Sequence, residues 1–245
     1  MSGLIAVVDT EATGLDPAVD KVIELAWAFV DIETAKVVSI ESRLLWATAN
    51  RGETVNGIPE ALLAKYGDSE LRSLALRYAF DAEPIAILAH NAEFDSQWGV
   101  FDSAAPWVCT KADWEWPCIE SGKKLIEVAL AHGVGVVSAH RAYTDVLTLC
   151  ATLERAHEKV PLAEMLRKAM VPRKKYAALV SYDDREKAKT AGFQWEANLK
   201  LWTKRLTSEA AQAMPFKVQP VDVIERHRAD EQAGTADEPT FGVSQ

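Results

Sequence analysis

Three apolar runs within the first 45 residues constrain the fold more than any other feature of the sequence. Leu4 to Val8 is a continuous buried-strand pattern, and Val22 to Val30 and Val37 to Leu45 follow it, with a turn over residues 13–17 after the first run. Strands that follow one another in this way are typical of an antiparallel meander. We predict such a meander for the start of the chain.

The hydrophobic period changes after Pro59, where helical spacing begins. Asn91 is the predicted N-cap of the helix that opens at His90. Strands followed by alternating strands and helices predict an α/β domain over residues 1–160. The predicted elements are helices at 60–67 and 68–80, a strand at 84–89, a helix opening at 90–95, a strand at 107–109, and helices at 121–132 and 143–158.

The remainder of the chain divides into three shorter segments. Residues 161–175 are predicted to be a short helix and a basic linker, and residues 176–220 a small basic α+β module. In that module we expect a strand at 176–182, a helix at 183–191 stopped by Gly192, and one or two strands within 193–206. Residues 221–245 are polar and are predicted to form a disordered tail.

The composition favours a protein of the cytoplasm. The 245 residues exceed a typical domain of about 100–150 residues, which suits one full domain and a smaller module. Three cysteines without CxxC spacing predict neither a disulfide framework nor structural zinc. No run approaches the roughly 18 apolar residues of a membrane span, and no basic segment precedes the first apolar run. We therefore expect no membrane partner; the oligomeric state stays open.

The net charge of −9 hides an uneven distribution. Residues 1–163 hold 13 Lys and Arg against 24 Asp and Glu, whereas residues 164–217 hold 12 against 6. A nucleic-acid partner usually leaves a basic footprint, so the total alone argues against one. The basic middle segment removes that objection.

Two carboxylates end the first predicted strand. Asp9 and Glu11 are two residues apart, so the period of a strand places both on one face and Thr10 on the other. Close carboxylates repel each other unless one takes up a proton or a cation lies between them. Mg²⁺ and Mn²⁺ prefer such oxygen ligands, and two ions about 3.5–4 Å apart can clamp a phosphoryl displacement. The alternative is a solvated, inert pair.

Three further residues complete a candidate site. Asp95 lies in the first turn of a helix after an apolar strand, where strand ends and helix starts converge; alone, it would be an ordinary favourable acid at a helix N-terminus. His140 and Asp145 are five residues apart and cannot share a helical face. We therefore expect His140 in the loop or first turn before the helix, leaning over the site of Asp145.

In order along the chain, the segments Asp9 to Asp16, His90 to Asp95 and His140 to Asp145 resemble the three motifs of the DnaQ-like 3′–5′ exonucleases. The H-x-A-x-x-D form of the last resembles the DEDDh branch. Residues 107–111 are similar to the exodeoxyribonuclease X-like subgroup, and residues 55–58 to an N-G-I stretch of many members. The resemblance covers residues 4 to about 158 and implies a ribonuclease H-like mixed sheet flanked by helices.

The resemblance also implies roles for single residues. Asp9, Glu11, Asp95 and Asp145 would be ligands of two divalent ions, Mg²⁺ or Mn²⁺. His140 would be the general base for the attacking water, since histidine side chains accept a proton near neutral pH. The substrate-binding residues would be Ala12 and Thr13 near the terminal nucleotide, Leu15 as a wedge against its base, and Asn91.

The small module is similar to accessory units found beside nuclease domains, with an A-K-x-x-G-F-x-W…K-x-W pattern. Trp195 or Trp202 would stack on a base, or both would form the core of the module. The same ambiguity holds for the cations, which either follow a phosphate backbone or are a solvated surface. A protein-docking role for the module stays open as well. The candidate nucleic-acid contacts are Lys174, Lys175, Lys187, Lys189 and Lys204.

The function that the resemblance implies is metal-dependent 3′–5′ exonuclease activity. It would release nucleoside 5′-monophosphates from single-stranded nucleic acid or from the 3′ ends of duplexes, with DNA as the expected substrate. RNA stays an alternative, because the 2′-OH is read by pocket details that the motifs do not fix. A non-catalytic nucleic-acid-binding adaptor is a second alternative, and the intact acidic and histidine positions weigh against it.

Overall fold

The computed structural model describes residues 3–69, 83–101 and 103–226. It divides into two compact units, residues 1–170 and 171–245. The elements of the first unit are β1 (Leu4–Ala12), β2 (Val22–Asp31), β3 (Val37–Leu44), α1 (Glu53–Asn56), α2 (Glu60–Tyr66), β4 (Ile87–Ala89), α3 (Ala92–Ser96), β5 (Trp107–Cys109), α4 (Leu125–Ala131), α5 (Ala142–His157) and α6 (Leu162–Ala169).

The first unit is built on a five-stranded mixed sheet with the order β3-β2-β1-β4-β5. The meander predicted from the three apolar runs is confirmed, because β1 pairs antiparallel with β2 and β2 with β3. β4 and β5 are added in parallel on the other side of β1. β1 is therefore the central strand, and its carboxyl end lies beside the carboxyl end of β4.

The two faces of this sheet are buried in different cores. Alternate residues of β1, Ile5 and Val7, pack against α5, where Val146 and Leu149 are buried. The alternating residues Ala6 and Val8 face a second core that contains Ala92 of α3. Since side chains alternate along a strand, β1 presents successive residues to α5 on one face and to α3 on the other.

The second unit has its own sheet and core. Its elements are β6 (Lys174–Ala178), α7 (Arg185–Thr190), β7 (Gln194–Glu196), β8 (Leu201–Leu206), α8 (Ser208–Gln212) and β9 (Val218–Pro220). The sheet order is β7-β8-β6-β9, with all pairs antiparallel. Tyr176, Ala188, Phe193 and Leu206 lie at the centre of its core. Residues 221–226 are helical.

Several element boundaries differ from those predicted. The helix predicted over 121–132 begins at Leu125, where the backbone N–H of Lys124 donates to the Glu127 carboxylate at 2.8 Å and defines the first turn. β6 begins two residues earlier than predicted, because Lys174 and Lys175 pair with Leu206 and Arg205 of β8. Of the helix predicted over 68–80, residues 70–80 lie outside the described residues, as do residues 227–245 of the predicted tail.

None of the described helices combines the length and the apolar composition needed to cross a membrane.

Candidate active site

Three carboxylates meet at the carboxyl end of β1. Asp9 and Glu11 continue the face that packs on α5, as the period of the strand predicts, and Asp145 extends from the first turn of α5. One ligand oxygen from each of the three lies within 4.8 Å of the others, and each residue is partly buried. The register between β1 and β2 shifts between Glu11 and Ala12, a type of irregularity that re-aims side chains near functional sites.

Asp95 reaches the same strand from the opposite layer. It lies in α3 and is 2% exposed. Its Oδ1 accepts two hydrogen bonds from Thr10, one from the backbone N–H at 2.9 Å and one from the hydroxyl at 2.8 Å. Thr10 therefore joins α3 to β1 between Asp9 and Glu11. The period of the strand predicts Thr10 on this other face, but its contact with Asp95 was not predicted.

His140 lies in the loop before α5, as predicted. Its backbone is left-handed, with φ 62°, and its side chain is exposed. The backbone N–H of His140 donates to Asp145 Oδ2 at 3.0 Å. The structure thus brings His140 to the carboxylate cluster through the backbone and leaves its imidazole free to face solvent.

The electrostatics of the cluster fit a cation. Burial raises the pKa of Asp9 well above its ordinary value, and repulsion from Asp95 and Asp145 adds to the shift. Burial and Asp145 raise the pKa of Glu11 to about 8. Burial raises the pKa of Asp95 to about 7, although the Thr10 hydrogen bonds act in the opposite direction. Clustered carboxylates with these shifts attract either protons or a hard divalent ion.

Two charged residues beside the cluster were not singled out from the sequence. Glu24 of β2 lies opposite Glu11 in the sheet register and is 2% exposed. Arg141, between His140 and α5, binds it with two parallel hydrogen bonds of 2.9 Å. One feature of the sequence could have pointed to Glu24: it is the single charged residue in the apolar run from Val22 to Val30.

The residues expected to bind substrate lie in different environments. The Ala12 carbonyl accepts from Asn56 Nδ2 at 3.2 Å. Thr13 is buried, and its hydroxyl donates to Asp20 and accepts from the backbone N–H of Lys21. Leu15 is 80% exposed.

Asn91 occupies the N-cap position of α3, but the prediction that it caps the helix is wrong in one respect. Its side chain makes no capping hydrogen bond. With φ 106°, its backbone is not in the extended conformation from which N-cap side chains usually reach the helix. The exposed amide is consequently available to a ligand.

The candidate lysines of the second unit are mostly engaged within that unit. Lys175 pairs with Glu196 at 3.0 Å, Lys187 with Asp184 at 2.7 Å and Lys189 with Glu186 at 3.3 Å. The Lys204 ammonium donates to the Ala191 carbonyl at 2.6 Å, and Lys174 is exposed. Exposed pairs of this kind contribute only about 0–1 kcal/mol, so a phosphate can compete for these cations.

The two tryptophans of the β7–β8 hairpin differ in exposure. Trp202 packs against the core of the second unit, whereas Trp195 is 52% exposed. Their ring centroids are 5.7 Å apart. Of the two predicted roles, the core role therefore fits Trp202, whereas Trp195 presents an exposed aromatic surface.

Comparison with solved structures identifies the fold. The structure of exonuclease X in complex with 5′ overhanging duplex DNA has a TM-score of 0.51 and 21% sequence identity, and the match covers 67% of this chain and 99% of that one. The zinc-bound complex of E. coli exonuclease I with single-stranded DNA has a TM-score of 0.56 and 18% identity, with 74% and 48% covered. The ribonuclease H-like fold is confirmed. The chain spans about half the length of exonuclease I.

Sequence comparison matches only a part of the chain. No curated protein matches the chain. One family model, described as "Domain of unknown function (DUF8626)", matches residues 174–221. This range begins at β6 and ends just after β9, so the matched family corresponds to the sheet of the second unit.

Proposed function

We propose that the protein is a metal-dependent 3′–5′ exonuclease of the exodeoxyribonuclease X-like subgroup that releases nucleoside 5′-monophosphates from DNA. The observation that carries the proposal is the convergence of Asp9, Glu11 and Asp145 on one point, with Asp95 joined to the same strand through Thr10. This arrangement is found in a chain with the fold of exonucleases X and I. The matched structures that contain single-stranded or overhanging duplex DNA favour DNA over RNA.

The carboxylates of Asp9, Glu11, Asp95 and Asp145 would hold two divalent ions, Mg²⁺ or Mn²⁺. Such ions, when bound, activate water and neutralise charge at the scissile phosphate. Asp95 has one oxygen occupied by Thr10, so its other oxygen is the one available as a ligand. The close approach of three oxygen donors supports this assignment.

The side chains of this chain supply the remaining parts of the reaction. The exposed His140 imidazole takes the proton of the attacking water. The hydrogen bond from the His140 backbone to Asp145 keeps the residue beside the carboxylates. Leu15 offers an exposed apolar surface for the terminal base, beside the backbone of Ala12 and Thr13. The Asn91 amide supplies a further polar contact.

The second unit is proposed to bind the DNA strand away from the 3′ end. Trp195 would stack on a base, and the five lysines named above would contact phosphates. The open ring of Trp195 is the support for this assignment.

The test is a nuclease assay with Mn²⁺ on a 5′-labelled single strand and on the same strand with a blocked 3′ end. We expect stepwise shortening of the open strand and release of 5′-monophosphates. Asp9→Ala and His140→Ala should each lower the rate at least 100-fold, whereas Glu33→Ala, which removes an exposed acid of the β2–β3 turn, should not. Full-length substrate after incubation with the unmodified protein would refute the proposal.

A matched RNA strand in the same assay decides the substrate class. Faster shortening of RNA than of DNA would replace DNA by RNA in the proposal. Equal binding of single strands with and without metal, without any shortening, would indicate an adaptor instead.

A further inference from the structure

A fifth carboxylate lies beside the proposed metal ligands and has a different set of partners. Glu24 is on β2, directly across from Glu11, and its side chain is 3% exposed. A buried charge in this position requires a positive partner, because removal of a carboxylate from water is costly. The proposed metal ligands are also carboxylates close to Glu24, so their repulsion would add to the cost of leaving Glu24 unpaired.

Arg141 and the start of α5 satisfy Glu24 completely. Arg141 Nε donates to Glu24 Oε2 and Arg141 Nη2 to Oε1, both at 2.9 Å. The backbone N–H of Ala142, the first residue of α5, donates to Oε2 at 3.0 Å. Both oxygens of Glu24 are therefore occupied, which distinguishes it from Asp9, Glu11 and Asp145.

The same contacts fix the segment that carries the catalytic groups. The Arg141 carbonyl accepts from the backbone N–H of Asp145 at 3.0 Å and from the Thr144 hydroxyl at 2.9 Å. His140 precedes Arg141 directly, and its own N–H is bound to Asp145. The turn that carries His140 and Asp145 is thus anchored to β2 by the bidentate pair of Arg141 and Glu24.

We propose that Glu24 and Arg141 are positioning residues, which hold the N-terminus of α5 against β2 so that Asp145 and His140 meet the carboxylates of β1. This inference rests on the proposed function for the role of His140 and of the metal ions. The pair neutralises Glu24 internally, so Glu24 does not compete for the ions. The planar fork of arginine suits this geometry, and lysine cannot reproduce it.

The test compares Glu24→Gln, Arg141→Lys and Glu154→Gln in the full-length protein. Glu154 is the matched control, because it joins α5 to Lys36 through an exposed ion pair of 2.5 Å far along the same helix. Mn²⁺ affinity is measured by electron paramagnetic resonance, and kcat and KM are measured on a single-stranded oligonucleotide. The melting temperature of each variant reports folding.

We expect Glu24→Gln and Arg141→Lys to weaken Mn²⁺ binding about 10–100-fold, as is typical when partners of metal ligands are removed. The kcat should fall as well, with the oligonucleotide KM nearly unchanged, and Glu154→Gln should match the unmodified protein. If Glu24→Gln does not fold, the milder Arg141→Lys decides.

Unchanged Mn²⁺ affinity in the folded variants would overturn the inference, even if their melting temperatures fall, because the pair would then only stabilise the fold. Failure of the proposed function gives a different result from failure of this inference. If the unmodified protein binds Mn²⁺ but shortens no DNA, and the variants bind Mn²⁺ more weakly, the positioning role stands without the nuclease.

Discussion

The geometry of β1 holds Asp9 and Glu11 close together, although their negative charges repel each other. Their neighbours are buried apolar residues on the same strand, which cannot move without opening both cores. Repulsion among the carboxylates is therefore present in the folded protein and relieved in the unfolded chain. The proposed metal site therefore lowers the stability of the folded protein when no cation is bound.

Glu11→Gln should stabilise the metal-free protein. The folded-state pKa of Glu11 is raised from 4.5 to about 8, so the charged form destabilises the fold as pH rises between these values. Removal of the charge should increase the free energy of unfolding at pH 7 by on the order of 2 kcal/mol. Urea denaturation in EDTA measures this.

The same variant should lose most of the stabilisation that Mn²⁺ gives to the unmodified protein. Glu33→Gln, in the exposed β2–β3 turn, is the control and should change neither quantity. A Glu11→Gln protein that is less stable in EDTA would contradict the repulsion.

His90 should make stability depend on pH on the acid side. Its Nε2 lies 3.0 Å from the Lys123 carbonyl oxygen and its Nδ1 3.0 Å from the Thr110 hydroxyl. Burial lowers the pKa of His90 from 6.5 to about 4. The unfolded state therefore binds the proton first, and this stabilisation is complete above pH 6.5 and lost as pH falls to about 4.

The loss amounts to on the order of 3 kcal/mol for one histidine with this shift. His90→Gln should remove that part of the pH dependence, so the difference in unfolding free energy between the two proteins should change between pH 6.5 and 4. Parallel curves would show that His90 titrates normally.

At the scale of elements, the β1–β2 loop is closed by one buried carboxylate. Asp20 accepts from the Thr13 hydroxyl and from the backbone N–H of Asp16, both at 3.0 Å, and pairs with Arg51 at 2.5 Å. A Cβ on Gly14 would lie 2.3 Å from an Asp20 oxygen, so the loop passes directly over the carboxylate. The exposed Leu15 is carried on this closed loop.

Asp20→Ala should release the loop. The unfolding free energy should fall by about 1–3 kcal/mol, because buried donors lose their acceptor. The KM for single strands should rise several-fold with a smaller change in kcat, since Leu15 is no longer held in place. Steady-state kinetics on a short oligonucleotide give both constants.

Asp31→Ala is the matched control, because Asp31 accepts three hydrogen bonds in the β2–β3 turn in the same manner. It should lower stability without a change in KM. Equal KM values for Asp20→Ala and the unmodified protein would show that the loop does not position substrate.

Elements with a clear period were predictable, and those fixed by distant contacts were not. The alternation of β1 identified Asp9 and Glu11 as neighbours, and the five-residue spacing placed His140 ahead of α5. Periodicity cannot detect α1, with four residues, or β9, with three. Lys174 and Lys175 resembled a linker by charge, yet strand pairing with β8 decides their conformation.

Site contacts between distant residues were equally invisible in the sequence. Thr10 and Asp95 are 85 residues apart, and Glu24 and Arg141 are 117 apart. Only the parallel pairing of β4 with β1 and the packing of α5 bring these residues together. A pattern of local spacing contains no information about such pairs.

At the scale of the whole molecule, acidic and basic segments coincide roughly with the two units. The proposed metal ligands lie in the first unit, and the basic segment over 164–217 lies largely in the second. Each unit contains its own core. We expect the two functions, metal binding and strand binding, to be separable by truncation.

A protein ending at Met170 should keep its stabilisation by Mn²⁺ and bind single-stranded DNA more weakly. The dependence of the binding constant on salt should also become shallower, because fewer phosphates are neutralised. Fluorescence anisotropy at several salt concentrations measures both effects. Identical affinity and salt dependence in the truncated and full-length proteins would remove the second unit from strand binding.

The left-handed backbone of His140 has a practical consequence for trapping the bound state. Most residues with a side chain pay about 1–2 kcal/mol in this conformation, whereas glycine, asparagine and aspartate tolerate it better. His140→Asn removes the proposed general base but suits the same backbone, so we expect an inactive protein at least as stable as the unmodified one. DNA should bind to it with unchanged affinity in an anisotropy titration and stay intact, which yields a long-lived complex suitable for crystallisation.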